Sequence, residues 1–172
     1  MLWTRQRSEL PITPAEALAC CGNHLSAYER QEILGFPCVY YCGAHAQDAT
    51  PASMGSSEAT PVKQQSSLLH FDDCEHNYRI VSGDHVGYRF ELIDVLGCGT
   101  YGVVVRALDH AALPTPQQCA LKIAKSISCH AAILRREAAM LELLWQSKPA
   151  ARMWIPQVLE RLVFRSHEVL AI

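Results

Sequence analysis

The pattern of hydrophobic and polar positions becomes regular from residue 88 onward. The segments YRFELIDVLG, VVVRALDH and QCALKIAK are apolar runs rich in β-branched residues, and they predict three strands. Their connections are short enough for an antiparallel sheet. The segment SCHAAILRREAAMLELLWQ predicts a helix with Ser126 or Ser128 as N-cap, and PQVLERLVF and HEVLAI predict two more strands joined at Arg165-Ser166. We therefore expect an α+β fold with a five-stranded antiparallel sheet and one long helix.

The chain before residue 47 is expected to be small and mostly helical. Thr13, Pro14 and Glu16 form a capping-box pattern at the start of a first helix, and residues 26–34 predict a second. The segment PCVYYCG predicts a short extended piece. The chain then becomes QDATPASMGSSEATPVKQQSS, which has no periodicity and is rich in Ser, Thr, Pro and Ala. This composition predicts a flexible linker or insertion.

Composition narrows the class of protein. Apolar residues make up 49% of the 172 residues, charged residues 19%, and the formal net charge is −2. This balance supports a folded core and gives no electrostatic footprint for nucleic acid or an anionic membrane. The start MLWTRQRSEL has no apolar stretch long enough for a signal peptide, and no later run is long enough to span a bilayer. We expect a soluble cytoplasmic protein, with the nucleus as a second compartment.

A group of cysteines and histidines raises the question of a metal site. The group has the chemistry of zinc ligands but no C-x-x-C pair, and it comprises Cys20, Cys21, His24, Cys38, Cys42 and His45. Small buried thiols are the favoured interpretation, and zinc binding stays open. We predict no metal ligand in the chain.

The stretch LGCGTYGVVV carries three glycines in the pattern G-x-G-x-x-G. Two kinds of phosphate site use this pattern, a dinucleotide-binding turn and a strand-loop-strand hairpin. A dinucleotide turn needs a helix after the third glycine and an acidic residue about 20 positions on. Here Val103, Val104 and Val105 favour a strand, and position 122 is a lysine. The sequence therefore predicts a hairpin with the glycines at its tip.

Lys122 and Glu137 are expected to form an ion pair beside this hairpin. In CALKIA, Lys122 shares a strand face with Ala120. Helical spacing places Glu137 in a stripe of apolar residues made of Ile133, Met140, Leu141 and Leu144. A carboxylate buried in such a stripe needs a cation, and Lys122 precedes the helix. A glycine hairpin, a lysine and a lysine-positioning glutamate together predict a triphosphate site.

These residues resemble the N-terminal lobe of a protein kinase. Gly97, Gly99, Gly102 and Val104 match the glycine-rich loop, CALK stands where the family has V-A-I-K, and Glu137 matches the glutamate of the following helix. The resemblance implies ATP binding with Mg²⁺, with Leu141 in an apolar stack between lobes. The implied ATP contacts are Leu96, Gly97, Cys98, Gly99, Thr100, Tyr101, Gly102, Val103, Val104, Ala120 and Lys122, of which Leu96, Val104 and Ala120 would enclose the adenine.

A narrower resemblance is to the dual-specificity tyrosine-regulated kinases (DYRK) that carry an N-terminal accessory region. The segments TPAEALACCGNHLSAYERQEILGFPCVYYCGAHA and FDDCEHNY are similar to that region and to the family's acidic homology box. The implied division is accessory region at 1–46, linker at 47–69, acidic box and lead-in at 70–87, and kinase lobe at 88–172. The resemblance implies Ser/Thr phosphorylation of protein substrates and tyrosine autophosphorylation.

Some features depart from the kinase pattern. Cys98 stands in the glycine loop where a polar or charged residue is usual. By the family pattern Ile172 is the gatekeeper position, and neither H-R-D nor D-F-G occurs in the 172 residues. We therefore expect the C-terminal lobe, a catalytic residue and the Mg²⁺ ligands to be absent, and this chain alone to be inactive. The alternatives are a non-catalytic interaction or regulatory module and a stand-alone zinc- or nucleotide-binding protein.

Overall fold

The computed structural model describes residues 10–43 and 71–172. Two short helices come first, α1 (Pro14–Cys21) and α2 (Ala27–Glu32), with 3-10 turns at Gly22–His24 and Ile33–Gly35. The later elements are β1 (His85–Val86), β2 (Phe90–Gly99), β3 (Gly102–Asp109), β4 (Gln117–Ala124), α3 (Ser128–Ser147), a 3-10 turn (Pro149–Trp154), β5 (Glu160–Phe164) and β6 (His167–Ala171). The predicted linker at 47–69 and His45 lie outside the described residues. In the described ranges, no helix has the length and apolar character that crossing a bilayer requires.

The strands form one antiparallel sheet in the order β1-β2-β3-β4-β6-β5, beside the long helix α3. The α+β class is confirmed, but the sheet has six strands where five were predicted. The additional strand, β1, has two residues, which is too short to show an alternating pattern. It pairs with β2 through a turn in which Gly87 and Tyr88 have φ of 61° and 54°.

The N-terminal helices begin at the capping boxes that the sequence predicts. Thr13 and Glu16 exchange side-chain and backbone hydrogen bonds at the start of α1, and Ser26 and Glu29 do the same at α2. These reciprocal bonds satisfy two of the backbone N–H groups that each helix end would leave unpaired. The extended segment after α2 is also present, because Val39 pairs with Ile12 in an antiparallel bridge.

The start of α3 differs from the prediction. Its N-cap is Ile127, which makes no side-chain capping bond, so neither Ser126 nor Ser128 caps the helix. The Ser126 hydroxyl instead donates to the Asp72 carboxylate. The other Asp72 oxygen lies 2.8 Å from His167 Nε2, and His167 Nδ1 lies 2.7 Å from the Ala124 carbonyl oxygen. Asp72 therefore holds both the loop before α3 and, through His167, the end of β4.

One hydrophobic core joins the N-terminal helices to the sheet. It includes Leu25 and Ile33 from the helical segment and Phe90, Leu121 and Val169 from the strands. A smaller cluster lies under α3, where Leu134 and Ala138 meet Ala124 and Leu170. The helical segment and the sheet thus bury apolar surface against each other, which is the main source of stability in such contacts.

The β5–β6 turn inserts a buried arginine beneath the N-terminal helices. Arg165 and Ser166 have φ of 48° and 68°, the left-handed pair that a tight two-residue hairpin requires. The Arg165 side chain is 1% exposed and donates to Glu29 at 2.9 Å, to Glu32 at 3.0 Å and to the Tyr78 hydroxyl at 3.1 Å. Burial alone would lower the pKa of Arg165, but Tyr78 and Glu32 raise it above its ordinary value. The side chain is therefore a cation that joins both parts.

Candidate nucleotide-binding site

The glycine stretch forms the tip of the β2–β3 hairpin. Gly99 lies opposite Gly102, and Thr100 and Tyr101 make the turn between them. Gly102 has φ of 148°, and a Cβ there would lie 2.0 Å from the Ile123 carbonyl oxygen. A Cβ at Gly97 or Gly99 would meet nothing within 4 Å. Only Gly102 is thus required by the strand packing, whereas the other two glycines leave open space above the hairpin.

Strands β3 and β4 place the predicted adenine and phosphate contacts on one face. Val104 lies opposite Lys122, and burial alternates along β4, with Ala120 and Lys122 partly exposed between buried neighbours. Leu96 is 56% exposed on β2. Val103 differs from the other predicted contacts, because its side chain lies in the core on the opposite face. Its side chain cannot contact a ligand on the exposed face, and only its backbone is near the hairpin tip.

Lys122 and Glu137 meet at the base of the hairpin. Lys122 Nζ lies 2.5 Å from Glu137 Oε2. The two side chains are 31% and 37% exposed, so the prediction that Glu137 is buried in an apolar stripe was wrong. The helix instead buries Leu134 and Ala138 against the sheet. An ion pair this exposed contributes about 1 kcal/mol or less to stability, which leaves the lysine charge available to a ligand.

The outer side of that stripe is solvent-exposed. Met140 is 59% exposed and Ile133 is also exposed, whereas Leu141 is partly buried against the small cluster under α3. The sequence spacing predicted the helix correctly, but the face that is buried lies about one residue further along the chain than the predicted one. The reason is that Ala138, a small residue with little weight in a hydrophobic pattern, packs closely on β6.

The tip of the β2–β3 hairpin packs against the first turn of α3. The rings of Tyr101 and His130 meet edge to face with centroids 5.5 Å apart, and the Lys125 N–H donates to the Tyr101 carbonyl at 3.0 Å. The space between Tyr101, Lys122 and Glu137 is about 20 Å³, enough for about one water molecule. Sequence reasoning missed His130, since a single histidine in a helix carries no pattern that identifies a ring contact.

Two members of the candidate zinc group, Cys21 and Cys42, share a side-chain hydrogen bond, but within the described residues no three members of the group bring ligand atoms together. Cys21 and Cys42 are buried, Cys38 is partly buried and Cys20 is exposed, while His45 is outside the described residues. The Cys21 thiol donates to the Ala17 carbonyl at 2.9 Å. Burial raises the pKa of Cys119, three residues before Lys122 in the sequence, to about 11 and keeps it a thiol.

One acidic and histidine group in the described residues has ligand atoms close enough for a cation. It comprises Glu29, Asp84 and His85, all buried in the interface with the N-terminal helices. The Arg165 guanidinium already pairs with Glu29 at 2.9 Å and lies 3.9 Å from Asp84. These residues therefore do not fit a magnesium site, since the Arg165 guanidinium already lies against both carboxylates of the group.

Comparison with known proteins places this arrangement in a family context. No protein-family model matches the chain. Dual specificity tyrosine-phosphorylation-regulated kinase 3 of Rattus norvegicus is 30% identical over 170 residues, which cover 99% of this chain and 27% of that protein. The corresponding kinase 2 of Drosophila melanogaster is 34% identical over 116 residues, 67% of this chain and 15% of that protein.

A more distant organism gives the same result. The probable serine/threonine-protein kinase dyrk2 of Dictyostelium discoideum is 29% identical over 159 residues, 92% of this chain and 16% of its own length. The chain thus spans about a quarter or less of the lengths of these relatives. Its sheet and helix fit the N-terminal lobe of a protein kinase, with one strand more than expected. Over nearly its whole length, the chain resembles the dual-specificity tyrosine-phosphorylation-regulated kinases.

Proposed function

We propose that the face between the glycine hairpin and α3 binds the phosphates of ATP. The observation that carries this proposal is the 2.5 Å contact between Lys122 and Glu137, directly below the β2–β3 hairpin. In this role Glu137 positions Lys122, and Lys122 holds two phosphates. The backbone N–H groups around Gly97 and Gly99 approach the phosphates without an intervening Cβ. Leu96, Val104 and Ala120 supply an apolar surface for the adenine.

We further propose that the activity belongs to a longer protein that transfers the γ-phosphate of ATP to Ser and Thr residues and to its own tyrosine. The kinase relatives support this reading, although the chain spans only 27% of the first of them. The 172 residues contain no H-R-D and no D-F-G, so this chain alone is inactive and its Mg²⁺ ligands lie elsewhere. Mg²⁺ would neutralise charge on the transferring phosphate. We place the protein in the cytoplasm, with the nucleus as a second compartment.

The division of the chain stays part of this proposal. The accessory region at 1–46 and the acidic box at 70–87 would act as fixed supports of the lobe at 88–172, joined by the linker at 47–69. Their support would be the buried bonds of Arg165 to Glu29 and Glu32.

A non-catalytic interaction module is the second candidate function. The observation that favours it is a set of exposed apolar side chains on α3 and the turn after it, where Met140, Leu143, Met153 and Trp154 are each more than half exposed. Apolar surface of this kind marks protein contacts. Reading the coding sequence past Ile172 separates the two candidates. Continuation into H-R-D and D-F-G supports the kinase, whereas a stop codon there supports the module.

The nucleotide site is tested directly by Lys122→Ala. We expect the chain to bind Mg-ATP only weakly, in the millimolar range, because the adenine lacks a hinge to contact within these residues. In ligand-observed ³¹P NMR, the parent chain should broaden the ATP signals, and the Lys122→Ala chain should not. Lys148→Ala is the matched control, since Lys148 is an exposed lysine at the end of the same helix.

Two results would contradict this proposal. Equal broadening by the parent, Lys122→Ala and Lys148→Ala chains would mean that ATP binds non-specifically. Tight ATP binding by the parent chain would instead overturn the expectation that further residues are needed.

A further inference from the structure

A second cavity lies on the side of the sheet that faces the N-terminal segment. Its volume is about 240 Å³, and it is formed where the segment after α2 passes over β2 and β5. Phe36, Pro37 and Leu162 supply its apolar wall, and Arg89 and Glu160 supply its charged rim. None of its lining residues belongs to the proposed nucleotide site. We propose that this cavity binds a small aromatic amine, with the ring against Phe36 and Leu162 and the ammonium group on Glu160.

The volume sets the size of the ligand. An apolar cavity of about 150 Å³ holds benzene, and pockets for drug-sized molecules begin at about 300 Å³. A cavity of about 240 Å³ therefore fits one ring system with a short side chain. Larger groups would have to extend into solvent past Glu160, whose side chain is 43% exposed.

The walls of the cavity are fixed without a ligand. The Phe36 ring packs edge to face on Tyr88, with centroids 4.9 Å apart. Gly87 has φ of 61°, and a Cβ there would lie 2.5 Å from Leu162 Cδ1. The absence of a side chain at Gly87 thus leaves Leu162 in place at the cavity wall. A preformed cavity costs little conformational entropy on binding, which favours small ligands.

The charges at the rim select a cation. The Arg89 guanidinium donates to both Asp109 oxygens, at 2.8 and 2.7 Å, and to Glu160 at 2.7 Å. Two carboxylates therefore share one guanidinium, and the cluster carries an excess negative charge. Glu160 Oε2 accepts from Arg89, and no other hydrogen bond from the described residues reaches this carboxylate, so its Oε1 can accept an ammonium hydrogen. A third carboxylate at this rim would be repelled, so an anionic ligand is disfavoured.

Tyr40 adds a neutral polar group beside the apolar wall. Burial, together with a hydrogen bond to Cys38, raises the pKa of Tyr40, so its hydroxyl keeps its proton. A hydroxyl at the edge of an apolar cavity suits the N–H or edge of an aromatic heterocycle. The cavity therefore combines an apolar wall, a neutral hydroxyl and an acidic rim, which matches an indole or phenyl ring that carries an amine.

A set of three isosteric probes tests the charge requirement on the complete chain. Tryptamine is cationic, tryptophol is neutral and indole-3-acetate is anionic, and all three carry the same ring. We expect saturable binding by isothermal calorimetry in the order tryptamine, tryptophol, indole-3-acetate. Glu160→Gln should weaken tryptamine about two- to fivefold and leave tryptophol unchanged, because it removes only one partly exposed ion pair. Glu142→Gln, a carboxylate outside the cavity, should change neither.

The apolar wall is tested by filling the cavity. Leu162→Trp should abolish binding of tryptamine and tryptophol, whereas Leu162→Met should retain it, with thermal unfolding curves establishing that both variants are folded. Saturating ATP should not displace tryptamine. The proposal is overturned if indole-3-acetate binds as tightly as tryptamine or more tightly. It is also overturned if Leu162→Met and a folded Leu162→Trp bind tryptamine equally well, or if ATP displaces tryptamine.

Discussion

Arg165 shows how much a single side chain decides in this molecule. The sequence predicts position 165 only as part of a polar turn, because its partners Glu29 and Glu32 are more than a hundred residues away. No local pattern reports a contact of that range. The sequence also predicts a partner for Lys122 correctly, since the strand and helix that carry the pair are adjacent in the chain. The charged contact that the sequence predicts lies between neighbouring elements, whereas the contacts across the two parts of the chain were not predictable.

Removing the Arg165 guanidinium should destabilise the fold strongly. Arg165→Met leaves Glu29, which is 1% exposed, without its cation. We expect a loss of about 3–5 kcal/mol in the free energy of unfolding, measured by urea denaturation. Arg161→Met is the control on the same hairpin, because Arg161 pairs with Glu142 near the surface. Arg161→Met should lower the free energy of unfolding by about 1 kcal/mol or less. Equal losses in the two variants would contradict the role given to Arg165.

At the scale of elements, the helices and strands were predictable where the pattern extends over several residues. The capping boxes gave the starts of α1 and α2, and the alternation of apolar residues gave β2 to β6. The two failures have different physical reasons. β1 has two residues, too few to show an alternating pattern, although it pairs with the nearby start of β2. At α3, Ser126 makes a tertiary bond with Asp72, so a contact distant in sequence outweighed the local preference for a serine cap.

The cap of α2 should be coupled to Arg165. Ser26 donates to Glu29 Oε2 at 2.9 Å, and Glu29 Oε1 accepts from Arg165 at 2.9 Å. Ser26→Ala should lower the free energy of unfolding by about 1 kcal/mol in the parent chain. In the Arg165→Met background the same substitution should have a smaller effect, which a double-mutant cycle measures. Thr13→Ala, in the equivalent box of α1, should be additive with Arg165→Met. Additivity of both alanine variants would show that the box and the arginine are independent.

At the scale of the whole molecule, the N-terminal helices and the sheet share one core, so the two parts should unfold together. The composition predicts a folded protein, but not that buried charged contacts hold the N-terminal helices against the sheet. The buried carboxylates in this contact make the stability of the two parts depend on pH. Burial would raise the pKa of Asp84, but hydrogen bonds from His85 and the charge of Arg165 hold it below its ordinary value.

The stability of the whole chain should therefore fall in acid. Burial would also raise the pKa of Asp109, yet Arg89 lowers it below its ordinary value. Because both folded pKa values lie below the unfolded value of about 4, the stabilisation is complete above about pH 5 and is lost as pH falls through the folded values. Urea midpoints measured from neutral pH down to about pH 3 should decline, and less steeply for Asp84→Asn. An equally steep decline in Asp84→Asn would exclude Asp84 as a contributor.

The bonds of Asp72 have a consequence for the two residues of the candidate site. Lys122 precedes and Glu137 follows the short stretch that Asp72 holds, at Ser126 by direct contact and at Ala124 through His167. A residue that precedes the entire sheet in the chain therefore anchors the connection between the strand of the lysine and the helix of the glutamate. A change at Asp72 would loosen that connection without removing any residue of the candidate site itself.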